Sequence, residues 1–209
     1  MELVATINDM NDDGYVRCVI TDGEGVEQKR RSLRLRLDDF ITALSSNIGA
    51  EKMYPIDLPD GYISASMGNC AGGLTGQISF KVEAQKRLIT YCGETFFIPI
   101  PSLVFDFTFT HGKLVKDSVR AINAKGSLCM YPFTNVYRDG HICWGSAKIG
   151  RIASFKEAVD IAELFLRFPM NSDLSNSSTL RKAKVGSMGE LFKLLENKDK
   201  FPEKFLTTL

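Results

Sequence analysis

The chain has 209 residues, 44% of them apolar and 24% charged, which is enough to bury a sizeable core and excludes wholesale disorder. At roughly 150 residues per domain this is one large domain, or one with an appended subdomain. Its 26 Lys and Arg against 25 Asp and Glu leave a net charge of +1, which speaks against phosphate-backbone neutralisation as its main task.

The start, Met1-Glu2-Leu3-Val4, carries no basic region and so does not read as a secretory signal. No run reaches the roughly 18 apolar residues of a membrane span, and the longest clusters, 96–109 and 158–168, are broken by proline or charge. The cysteines at 18, 70, 92, 129 and 143 are odd in number and form no Cys-x-x-Cys pair, and there are only two histidines. Neither a disulfide framework nor a metal site is expected, no cofactor is implied, and a reducing cytoplasm is the expected setting.

Taken in order, two alternating runs, Glu2–Asn8 and 15–21, flank Asn-Asp-Asp-Gly at 11–14 and predict a β-hairpin. The basic stretch 28–36 holds Arg30, Arg31, Arg34 and Arg36. It leads into Asp38 and Asp39, placed where a helix N-terminus favours carboxylates. Those arginines read first as a solvated face, with a partner or nucleic-acid patch as the alternative. Residues 56–76 are rich in Gly, Pro, Ser and Asp and read as a connection. Within them, Gly68-Asn69-Cys70-Ala71-Gly72-Gly73 lacks the Lys-Ser/Thr ending of a phosphate loop, so no nucleotide site is expected there.

From Gly76 the pattern turns strand-like. Residues 77–84 alternate Ile78, Phe80 and Val82; 87–92 and 95–98 follow. Next come Ser102–Thr110, with Phe105, Phe107 and Phe109, and Lys113–Ile122 after a His111-Gly112 turn. This predicts an antiparallel meander whose phenylalanines are core, because a base-stacking platform would need basic interleaving. After Gly145 the period becomes helical. Phe155, Ala158, Val159, Ala162, Phe165 and Leu166 recur on one face, Ser154 and Glu157 form a capping-box pattern, and Pro169 ends the run. A Ser/Asn loop at 171–179 precedes a second helix marked by Met188, Leu191, Phe192 and Leu195. Strands first and helices last predict an α+β domain.

The most informative stretch is Tyr131-Pro-Phe-Thr-Asn-Val-Tyr-Arg-Asp-Gly-His-Ile-Cys-Trp-Gly145, with Asn135 eight residues before Cys143. It resembles the active-site segment of ubiquitin-conjugating enzymes, His-Pro-Asn-(Ile/Val)-x-x-x-Gly-x-(Ile/Val)-Cys. Asn135, Val136, Gly140, Ile142 and Cys143 match in register. Ile98-Pro99-Ile100-Pro101 resembles the approach to that family's third strand. The helix at 155–168 with Pro169-Met-Asn171-Ser-Asp173 resembles its second helix and following loop, so the likeness covers about residues 76–180. The string from Asn135 to Gly145 is similar to a bacterial branch, prokaryotic ubiquitin-conjugating family D, which includes protein B of the PRTRC cassettes. Genes of that branch tend to sit beside a ThiF-like activating enzyme and a ubiquitin-like protein. Phe133 and Thr134 stand where the wider family has His-Pro, Trp144-Gly145 replaces Leu-Asp, and residues 1–65 do not match the usual N-terminal helix.

The resemblance implies a ubiquitin-conjugating-like fold at 66–209 with an N-terminal strand and helix extension at 1–65. It implies acyl transfer from a ThiF-like enzyme through a Cys143 thioester to an amine on a target protein, with a role in plasmid or phage-defence biology. Sulfur suits this because it attacks and leaves well. Asn135 is carried over as the donor to the developing oxyanion, Asp173 as the group that orients the incoming lysine, with Asp139 as its alternative. Tyr137, Asp139 and Trp144 are the expected substrate contacts. His141 reads as a bystander, and Cys18, Cys70, Cys92 and Cys129 as structural. Arg30 and Arg31 are candidates for docking an acidic partner surface. Neither membrane nor nucleic acid is an expected partner. The rival readings are a binding module of the same fold without chemistry, and a cysteine hydrolase using His111 or His141 as base. Taken alone, Cys143 reads as a buried structural cysteine, and a pure turn role is the alternative for Asn135.

Overall fold

A computed structural model describes residues 2–8, 15–22, 29–36, 58–67 and 73–209, the first three segments as backbone alone. The expected turn at 11–14, the helix after Asp38 and the glycine-rich segment 68–72 lie outside the described residues. Two compact units emerge: 1–80 with 107–115 and 150–158, and 81–106 with 116–149 and 159–209.

In the first unit the sheet runs from the end of β8 (Ser102–Thr110) through β5 (Gly76–Val82), β4 (Tyr62–Met67), β1 (Glu2–Asn8) and β2 (Tyr15–Asp22) to β3 (Lys29–Arg36). The β1–β2 hairpin is present, in antiparallel register from Glu2↔Thr21 to Ile7↔Val16. Two strands depart from expectation. The basic stretch is β3, where Arg31-Ser-Leu-Arg-Leu-Arg36 carries a period of two beneath its charge, and Arg30 and Arg31 stand opposite Thr21 and Ile20. Likewise, β4 lies inside the expected connection. Its Tyr-Ile-Ser-Ala-Ser-Met buries only Ala65, so backbone ladders to β1 and β5 define the strand instead of apolar side chains. The core of this unit is a run of edge-on rings, Phe80–Phe107 at 5.8 Å and Phe107–Phe109 at 6.1 Å, continued by Phe155. The helix entry is closed as expected, with the Glu157 carboxylate accepting from the Ser154 backbone N–H at 3.0 Å.

In the second unit β8 is followed by β9 (Lys113–Ile122) and β10 (Leu128–Cys129), while β6 (Gln85–Tyr91) and β7 (Glu94–Ile100) form a ladder of their own. The strands therefore do not pair strictly in chain order: β7 carries Pro99, which cannot donate to a further strand, and Pro101 breaks the chain before β8. The first helix opens with a 3-10 turn at Phe155–Glu157 and continues as α1 (Ala158–Arg167). Part of the expected Ser/Asn loop is helical. Asn176 accepts from Thr179 N–H at 3.1 Å and starts α2 (Ser177–Ala183), so the polar residues that read as loop are the cap and first turn. The expected last helix is α3 (Met188–Glu196), capped by Ser187. Arg87 on β6 grips Glu163 on α1 with two contacts of 2.6 Å, tying hairpin to helix and holding the Glu163 carboxyl below its ordinary range. The α+β class is as expected. Among the described residues no helix is long and apolar enough to cross a membrane.

Candidate active site

The site lies wholly in the second unit, on the irregular chain after β10. Residues 131–135 are buried. Phe133, where the wider ubiquitin-conjugating pattern has histidine, packs edge-on against Tyr131 at 5.5 Å and Phe201 at 5.7 Å, and tilted against Phe192 at 5.5 Å. An apolar ring thus anchors this stretch. Burial pushes the Tyr131 phenol well above its usual range, so it stays neutral.

The eight-residue spacing has a geometric meaning. Cys143 N–H donates to the Asn135 carbonyl at 2.8 Å, Val136 bridges Ile142, and Tyr137 N–H donates to the His141 carbonyl at 2.9 Å. The chain folds into a short hairpin whose first residue faces the cysteine across a backbone hydrogen bond. Asn135 adopts φ 63°, a left-handed conformation that asparagine tolerates better than most residues. The tip is closed by Gly140 N–H to the Tyr137 carbonyl at 2.8 Å and by the Asp139 carboxylate, which accepts from His141 N–H at 3.0 Å. Gly140 has φ 93°, and a Cβ there would overlap the Arg120 guanidinium, which donates to the Asp139 carbonyl.

The Cys143 thiol is half-buried, and the Tyr137 hydroxyl approaches its sulfur at 3.8 Å. That hydrogen bond, the charge of a thiolate at Cys143 and the nearby Asp139 carboxylate push the Tyr137 phenol above its ordinary value. Tyr137 therefore remains a donor toward sulfur at neutral pH. Its ring, 45% exposed, stacks on His141 with centroids 5.9 Å apart.

Asn135 is 8% exposed. Its Nδ2 donates to the Pro169 carbonyl at 3.1 Å and its Oδ1 accepts from Thr134 Oγ1 at 3.2 Å. The chain after α1 is stitched to the same stretch, with Asn176 donating to Tyr131 and Phe133 carbonyls. Asp173 lies in that connection but is exposed, and its carboxylate accepts from Asn171 Nδ2 at 3.1 Å. The hydrogen bonds thus bring Cys143 together with Asn135 and Tyr137, and hold Asp139 at the hairpin tip. Asp173 bonds instead within its own loop. Trp144 is half-buried, with its ring edge against Phe165 at 6.0 Å.

One residue was not foreseen. Asp117 on β9 is buried. It accepts from Ile142 N–H at 2.7 Å and from the Trp144 indole N–H at 3.0 Å, and pairs with His141 Nδ1 at 2.9 Å. Its signal in the sequence is a carboxylate on the same strand parity as Val119 and Ala121, both buried. His141, read from the sequence as a bystander to the chemistry, contacts this carboxylate through Nδ1. Its fellow histidine, His111, belongs to the first unit. Of the other thiols whose side chains are described, Cys129 is buried and Cys92 exposed, and burial pushes the Cys129 thiol upward.

With this geometry in place, the comparison with known families is direct: the sequence model of prokaryotic E2 family D matches residues 74–209. The chain belongs to that family. The match takes in the whole hairpin from Asn135 to Cys143 and Asp117 on β9. Membership in prokaryotic E2 family D gives the chain an E2-like role, in keeping with its α+β fold. No curated protein and no solved structure matches it.

Proposed function

We propose that this member of prokaryotic E2 family D carries a ubiquitin-like protein as a thioester on Cys143 and passes it to an amine of a target protein. The observation that carries the reading is the hairpin that sets Cys143 opposite Asn135, with one hydroxyl donor, Tyr137, at the sulfur. In the first step the Cys143 thiolate attacks the modifier's C-terminal carbonyl, held as a thioester on a ThiF-like activating enzyme, whose thiolate leaves. In the second a neutral lysine amine attacks the Cys143 thioester, an amide forms, and the Cys143 thiolate departs. The lysine's surplus proton goes to a base.

Tyr137 serves the sulfur in both steps by donating to its anionic form. One Asn135 amide hydrogen is engaged by Pro169, and the other is the candidate donor to the tetrahedral oxyanion. Asp173, or Asp139, orients the lysine. The reaction takes place in the cytoplasm, and residues 1–65 supply a docking extension on which Arg30 and Arg31 meet an acidic face of the activating enzyme. A PRTRC-type cassette in phage defence is the biological setting this reading favours.

The test combines the chain with a ubiquitin-like protein, a ThiF-like activating enzyme and ATP, and reads intact mass and a non-reducing gel. A reductant-sensitive adduct of one modifier mass is expected, and none in Cys143→Ala. No adduct from a demonstrably charged activating enzyme, with the modifier still bound, would replace this reading by the non-catalytic binding module.

A further inference from the structure

We propose that Asp117 is the positioning residue of this site, holding the Cys143 nucleophile in place from both sides. The inference rests on the reading of Cys143 as the thioester carrier and adds to it a residue remote in sequence. A carboxylate with a side chain 5% exposed has given up its water and must be met by protein donors. The partners Asp117 has gathered all come from one short segment: the N–H donors of Ile142 and Trp144 and the Nδ1 contact of His141. They bracket Cys143 without touching it.

The bracket has three arms. The Ile142 N–H fixes the peptide plane two bonds before the nucleophile's own, and Cys143 N–H is taken by Asn135. The Trp144 indole fixes the side chain immediately after it. The third arm runs through His141: its Nδ1 lies 2.9 Å from the Asp117 carboxylate, and its ring is the stacking surface for Tyr137, whose hydroxyl reaches the sulfur. A thiol so placed is not free to swing with its backbone. Misplacing a reacting group by about 1 Å costs on the order of 100-fold in rate. Carboxylate chemistry is required because two oxygens offer about four lone pairs and no hydrogen. An asparagine of the same shape would turn an NH2 toward either the indole N–H or the pair formed by Ile142 and His141.

The experiment compares wild type and Asp117→Asn in single-turnover loading from the charged ThiF-like enzyme, at varied enzyme concentration. The expected result is a maximal rate lower by about 10- to 100-fold at an unchanged half-saturating concentration, because positioning acts on the step and not on docking. Trp144 is the sole tryptophan of the chain, so its emission reports this hydrogen bond without partners. It is expected to shift to the red in Asp117→Asn.

Pairing the variant with Trp144→Phe removes the donor that opposes the new amide, so the two losses are expected to combine to less than their product. Wild-type maximal rate in Asp117→Asn, or a change confined to half-saturation, would overturn the proposal while leaving Cys143 as carrier. A wild-type chain that takes no modifier from the charged enzyme sinks both. Should Asp117→Asn not fold by circular dichroism, His141→Phe and Trp144→Phe each remove one partner of the carboxylate. Each is expected to lose about 3- to 10-fold in maximal rate, and wild-type rates in both would overturn the proposal.

Discussion

The hairpin at 135–143 and the loop at 171–174 were both expected to furnish groups for acyl transfer, and they are built differently. In the hairpin, buried Asn135 and Ile142 flank a cysteine whose backbone and neighbours are tied to Pro169, Asp117 and each other. In the loop, four consecutive residues are exposed, and Asp173 bonds to Asn171 two positions away. A segment fixed by distant partners keeps a group where the reaction needs it. A segment that satisfies itself leaves its carboxylate free to follow an incoming substrate. On the proposed mechanism, the nucleophile and its oxyanion donor fall in the segment held by distant partners, and lysine handling in the segment that bonds within itself.

The hardest blow to the rigid side is Phe133→Ala, which empties a fully buried site among three aromatic rings. A loss of about 3–5 kcal/mol in unfolding free energy is expected, read by urea denaturation. A small loss would mean that the hairpin is anchored elsewhere. Next comes Asn135→Ala, expected to slow discharge of the thioester to free lysine by about 100- to 1000-fold. If loading and melting temperature fall in step with discharge, its role is to hold the turn and not to donate to the oxyanion.

Glu163→Gln separates fold from site, since its partner Arg87 lies on β6, outside both segments. Unfolding free energy is expected to fall by roughly 1–3 kcal/mol, with discharge of loaded protein unchanged. Because Arg87 lowers the folded-state pKa of Glu163, the pair stabilises above the ordinary glutamate range of about 4.3 and loses its contribution as pH falls through the lowered value. A urea series at descending pH would show wild type approaching the variant only in acid. The smallest effect is expected from Asp173→Asn, less than about 10-fold in discharge, steepest with a lysine-bearing protein acceptor. A loss there exceeding that of Asn135→Ala would invert the comparison.

Much of the architecture could be read from residue patterns where side chains are large. Phe105, Phe107 and Phe109 mark β8, and Met188, Leu191, Phe192 and Leu195 mark α3, because burial of big apolar groups imposes the period of the element. Where backbone pairing defines a strand, as in Tyr62–Met67, or where cap residues resemble a loop, as at Asn176, the pattern is silent. Cys143 and Asn135 could be read because their spacing is local. Asp117 could not, since a carboxylate on a buried parity gains meaning only when partners from another segment arrive at it.

The tip of the hairpin carries one last consequence, for how such sequences drift. Arg120 fills the volume that any side chain at position 140 would need, and its guanidinium holds the carbonyl of Asp139 beside it. The two positions are therefore mutually constrained. A side chain at 140 has to displace the flexible end of Arg120 and its hydrogen bond to Asp139, and the positive φ disfavours every side chain there whether or not the arginine moves. Among relatives of this chain, position 140 is expected to stay glycine even where residue 120 has changed.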